Sequence, residues 1–151
     1  MDQVCELPLE NADSEEIRDI LQRFRSVAVI GVSGNNEKAS HQVARYLKEH
    51  GYTIYPVNPR YPSILGRDCY PSLLEIPDPI EVVDIFRRPS AVPDIVEDAI
   101  SRGARVIWMQ QGIVNNEAAQ RARDAGLRVV MDRCMMSEHK RLAKEGKVQG
   151  Y

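Results

Sequence analysis

The residues best placed to do chemistry are the glycines and small polar side chains that follow the apolar run Val27 to Ile30, in the stretch Ser26-Val-Ala-Val-Ile-Gly-Val-Ser-Gly-Asn-Asn36. Four β-branched or small apolar residues without alternation, too few for a helix, fit a parallel strand covered on both faces. Gly31 and Gly34 then open a turn, and a helix candidate begins near Ser40. A strand, a glycine turn and a helix N-terminus converge unpaired backbone N–H groups and a partial positive charge on one point, where phosphate is the natural guest. The G-x-x-G spacing lacks one glycine of the full dinucleotide fingerprint G-x-G-x-x-G. On its own the loop fits a ligand-free connection equally well.

Other loops narrow the chemistry. A site for NAD usually carries Asp or Glu at the end of the second strand to hold the ribose hydroxyls, but here that position reads Asn58-Pro59-Arg60. Arg60, with Arg87 and Arg88 after the third strand, gives a cationic lining that suits a ribose phosphate. NADP and coenzyme A both carry one, while solvated surface arginines are the alternative. A phosphoacceptor receiver domain would need acidic residues for Mg²⁺ after strand one, and Gly31-Val32-Ser33 supplies none. The histidines do not assemble a catalytic group: His41 lies at a helix start, His50 beside a helix stop and His139 on a polar helix.

The elements that must position these loops alternate along the chain. Asp13 followed by Glu16 resembles a capping box, and Ile17, Ile20, Leu21 and Phe24 form one apolar helical face. After the first strand come a helix from Ser40, its expected N-cap, to His50, and a second strand from Tyr52 to Val57. Pro56 cannot donate to a ladder and belongs at that strand's end if the strand is internal. Turn chemistry at Asn58 to Ser63 and a short helix within Pro71 to Ile76 lead to a third strand, Glu81 to Phe86. Helices at Val92 to Arg102 and Asn115 to Ala125 alternate with strands at Ala104 to Met109 and Leu127 to Met131, and a polar helix spans Ser137 to Glu145. This pattern predicts an α/β fold, a doubly wound parallel five-stranded sheet, formed by residues 13–151 behind a loose tail at 1–12. A strand order of 3-2-1-4-5 would set Gly31 to Gly34 opposite Gln110 to Ile113 across the ligand crevice.

A chain of 151 residues with 43% hydrophobic content and a net charge of −2 suits one domain. Without a basic run it offers no dedicated nucleic-acid surface, and it contains no membrane span. An acidic N-terminus without an apolar core does not resemble a signal peptide, so the cytoplasm is the expected location. Cys5, Cys69 and Cys134 are odd in number and widely spaced, which fits reduced thiols better than disulfides or a zinc site. Cys134, after the fifth strand, is a candidate redox thiol.

Six ordered motifs carry a resemblance: V-A-V-I-G-V-S, S-H-Q-V-A-R-Y-L, Y-P-V-N-P, F-R-R-P-S, W-M-Q-Q-G-I and V-M-D-R-C. Together, from about Val27 to His139, they resemble the small stand-alone coenzyme A-binding proteins, which are similar to the N-terminal domain of the succinyl-CoA synthetase α subunit. The resemblance implies a Rossmann-like domain that binds coenzyme A or an acyl-CoA. It implies that Gly31, Val32, Ser33, Lys38, Ser40 and His41 hold the pyrophosphate. Asn58, Pro59 and Arg60 would line the adenosine side, completed by Phe86, Arg87 and Pro89, and Gln111, Gly112 and Ile113 would meet the pantetheine arm. A five-stranded sheet is roughly 19 Å wide at about 4.8 Å per gap, comparable with the extended cofactor. The ligase relatives need a second domain with a phosphorylated histidine, so ligase activity by this chain alone is not expected. A non-catalytic carrier, sensor or regulatory module is the leading expectation; the runner-up is an NADP-dependent oxidoreductase or a thiol-dependent CoA-handling enzyme using Cys134.

Overall fold

The computed structural model describes residues 6–148. Cys5 lies outside them. Helix α1 (Ser14–Arg23) starts where Asp13 accepts a hydrogen bond from the Glu16 backbone N–H at 2.9 Å. The Glu16 carboxylate does not reach back to complete the capping box; it pairs with Arg128 at 3.3 Å. Within the expected tail, Asn11 exchanges both side-chain hydrogen bonds with the Met131 backbone, at 2.8 and 2.9 Å.

Strands β1 (Ser26–Ile30), β2 (Thr53–Val57), β5 (Val82–Ile85), β6 (Val106–Met109) and β7 (Arg128–Val130) form one parallel sheet in the order β2-β1-β5-β6-β7. Alternate residues enter two cores. Val27, Val29, Val82, Trp108 and Val130 pack under α1, α2 (Ala39–Glu49) and α5 (Met135–Lys144). Ala28, Ile30, Val83, Ile85 and Ile107 pack under α3 (Val92–Ser101) and α4 (Asn116–Asp124). Burial of both faces explains why these strands read as largely apolar runs without alternation.

The order corrects the expected 3-2-1-4-5. In sequence order of the five main strands it is 2-1-3-4-5, so β5 lies between β1 and β6 and the topological switch point is at β1/β5. Gly31 therefore faces the end of β5, and the Gln110–Ile113 loop is one strand further away. Strand β2 is an edge, which accommodates Pro56: its carbonyl accepts from Tyr70 N–H at 2.9 Å on the side away from β1, so the ring nitrogen costs the β1 ladder nothing.

Two further differences are local. A hairpin, β3 (Ser63–Ile64) with β4 (Arg67–Asp68), occupies part of the expected loop, its two-residue turn formed by Leu65 and Gly66 at φ 56° and 72°. The last helix begins at Met135, two residues before Ser137, and is amphipathic, burying Met135, His139 and Leu142. Among the described residues no helix is long and apolar enough to cross a membrane.

Candidate functional site

At the C-terminal ends of β1, β2 and β5 lies a pocket of about 540 Å³. Gly31 and Ser33 contribute its floor from the β1 loop, Asn58, Pro59 and Arg60 one side from the β2 loop, and Arg87 the β5 side. Six residues singled out in the sequence thus come together where the switch point predicts a ligand.

The β1 loop is held in shape by its own polar groups. Ser33 N–H donates to Ser40 Oγ at 2.9 Å, and His41 Nδ1 lies 2.9 Å from the Ser33 carbonyl oxygen. Ser40 is therefore not the N-cap. Lys38 occupies that position, exposed, and no side chain caps α2, whose first turn carries no acidic residue. The helix end offers its partial positive charge without a side-chain cap among the described residues. Asn58 ties the second loop to the first: its side-chain N–H₂ donates to the Val32 carbonyl at 2.9 Å, and its oxygen accepts from Arg60 N–H at 3.0 Å. The Val32 side chain is fully buried. Val32, Ser40 and His41 consequently shape the loop from behind.

Both loop glycines lie close against neighbours. Gly31 has φ +84°, and a Cβ there would lie 2.5 Å from the Phe86 carbonyl oxygen and 2.8 Å from Arg87 Cδ. A Cβ on Gly34 would lie 2.6 Å from the Tyr61 ring. Tyr61 also lines the pocket.

The other sequence candidates lie along the same sheet edge outside this pocket. Phe86 is half-buried against the α1/α2/α5 core, and the Pro89 carbonyl accepts from Asn115 Nδ2 at 3.0 Å. Gln111, Gly112 and Ile113 follow β6, with Gly112 N–H donating to Asp132 Oδ1 at 2.7 Å. Cys134 is half-buried, a free thiol immediately before α5, and Cys69 is a buried free thiol whose pKa burial raises. Arg88 is exposed and does not line the pocket. Arg60, Arg87 and Arg88 have no ion-pair partner among the described residues. Among those residues no group of three or more His, Cys, Asp or Glu is placed to hold a metal ion.

Sequence reasoning missed the pocket's far wall: Tyr61, Pro71, Ser72, Leu73, Ile95 and Asp98. Ile95 was legible only as an inward helical residue. Asp98, three residues on, shares its face, a spacing that could have flagged an acid at the pocket.

Residues 25–140 match the family model described as CoA binding domain. An uncharacterised Bacillus subtilis protein, YneT, is 40% identical over 131 residues, covering 87% of this chain and 97% of that one. A hypothetical protein from Pyrococcus horikoshii superposes with a TM-score of 0.85 at 48% identity, covering 94% of this chain and 99% of that one. The ADP-forming acetate–CoA ligase I of Archaeoglobus fulgidus is 31% identical over 119 residues, which cover 72% of this chain but only 17% of the ligase.

Proposed function

The chain belongs to the CoA binding domain family, and from that membership we propose that it binds coenzyme A, or an acyl-CoA, as a carrier, sensor or regulatory module. The observation that carries this assignment is the pocket at the β1/β5 switch point, where Arg60 and Arg87 form no ion pair with a carboxylate among the described residues. A cofactor with a pyrophosphate and a ribose phosphate supplies those anions.

In this assignment the pyrophosphate lies against the Gly31–Ser33 turn and the uncapped end of α2, where exposed Lys38 adds a cation. Arg60 and Arg87 receive the ribose phosphate. Because β5 lies between β1 and β6, Phe86 and Pro89 fall to the pantetheine arm rather than the adenosine side, and the arm runs over them toward Gln111, Gly112 and Ile113, with Cys134 beyond them on the same edge. A non-catalytic role fits the commitments of the histidines: His41 holds the Ser33 carbonyl, His50 Nδ1 meets the Tyr46 carbonyl and His139 Nδ1 meets the Tyr46 hydroxyl. Relatives named as acetate–CoA ligases share this unit within much longer chains, which supports a CoA-holding role for it.

Native mass spectrometry of the purified protein, followed by calorimetric titration with coenzyme A and with NADP, tests the assignment. One coenzyme A per chain, with NADP bound far more weakly, is expected. Retention of NADP, or no binding of coenzyme A, overturns it.

A further inference from the structure

The β2 and β5 loops line the pocket with cations, whereas α3 does not. Asp98 lines it from α3, one helical turn beyond Ile95 and on the same face. The turn Leu73–Glu75 packs against α3, and Pro71 and Leu73 add apolar surface to the same part of the pocket. No cation is paired with Asp98 among the described residues. Partial burial lifts its carboxyl above the usual range, with the negative charge of Asp94 adding to the effect.

A phosphate would be repelled from this end. An apolar surface of Pro71, Leu73 and Ile95 closed by a hydrogen-bond acceptor suits a flat heterocycle bearing an exocyclic amine, which offers N–H donors where the carboxylate can only accept. We propose that this part of the pocket seats the adenine ring of coenzyme A and that Asp98 accepts a hydrogen bond from the 6-amino group, so that Asp98 selects the base. The inference rests on the coenzyme A assignment above and adds to it a residue that reads adenine. A purine with oxygen at position 6 would set a carbonyl against the carboxylate, acceptor against acceptor, at the position where the amine donates.

The test is calorimetric titration of the full chain with coenzyme A and with the analogue whose adenine is replaced by hypoxanthine. Wild type should prefer coenzyme A by about tenfold or more, the size of a lost charge-assisted hydrogen bond. Asp98→Ala should weaken coenzyme A binding by a similar factor and erase the preference. Asp98→Asn, whose amide can accept from an amine or donate to a carbonyl, should bind the two ligands about equally. Equal binding of both by wild type overturns the inference while leaving the coenzyme A assignment standing, as does a preference that survives Asp98→Ala. Binding of neither ligand by wild type removes the assignment and the inference together.

Discussion

Asp84 sits on β5 between Val29 of β1 and Trp108 of β6, fully buried, with neither carboxyl oxygen hydrogen-bonded among the described residues. Loss of water pushes its pKa well above the ordinary 3.8, so the folded protein holds the acid neutral. Below that ordinary value both folded and unfolded chains carry the proton and the site costs nothing in ionisation. Above it the unfolded chain releases the proton and the folded one keeps it, so stability falls by about 1.4 kcal/mol per pH unit until the folded pKa is reached. Asp84→Leu replaces an unsatisfied polar group with a larger apolar side chain of the same branching and should stabilise the protein at pH 7 by about 1–3 kcal/mol, the extra volume offsetting part of the gain. Urea unfolding of both proteins at pH 4 and pH 7 measures this. A gain that is larger at pH 4 than at pH 7 would show that Asp84 is ionised and partnered. In the sequence Asp84 was one polar residue inside an apolar strand, and only the sheet register shows it in the middle of the core.

At the scale of the element, the β1 loop separates two roles that its sequence merges. Gly31 and Gly34 read as one phosphate-binding motif, yet Gly31 is fixed by its positive φ and by the Phe86 carbonyl, a backbone atom, whereas Gly34 abuts only the ring of half-exposed Tyr61. Gly31→Ala should therefore lower stability by about 1–3 kcal/mol through backbone strain alone, with the clash adding to that. Gly34→Ala should leave the melting temperature nearly unchanged, because the phenol can swing away, but should weaken coenzyme A binding by moving Tyr61 in the pocket. Thermal melts paired with calorimetry separate these outcomes, and a Gly31→Ala protein as stable as wild type would refute the first. The five main strands were legible as short apolar runs, and the helices between them by their apolar periodicity. Hairpin β3–β4 was not, since its turn is Leu65-Gly66 rather than an asparagine–glycine pair. The start of α5 was obscured because His139 occupies a buried position between Met135 and Leu142.

For the whole molecule, alternation of strand and helix dictates a parallel sheet but not on which side of β1 the third main strand lands, so both orders satisfied the same pattern. The observed order decides which arginines can act together. Arg60 and Arg87 meet at one pocket while Arg88, next to Arg87 in the sequence, is exposed and does not line it. A chain of net charge −2 must draw a polyanionic cofactor through such a local cationic field. Coenzyme A should accordingly bind about tenfold more tightly than 3′-dephospho-coenzyme A at low salt. The preference should shrink as ionic strength rises, since the Debye length falls from about 30 Å at 0.01 M to about 8 Å at 0.15 M. Arg60→Ala should reduce it. Arg87→Met should do the same while keeping an apolar stem against Gly31, so that lost charge is not confused with lost packing. Arg88→Ala should change nothing. Titrations of the four proteins with both ligands at two salt concentrations check each expectation. Equal affinities for the two ligands in wild type at low salt would mean that Arg60 and Arg87 are ordinary solvated surface, and loss of the preference in Arg88→Ala would place the phosphate outside the pocket.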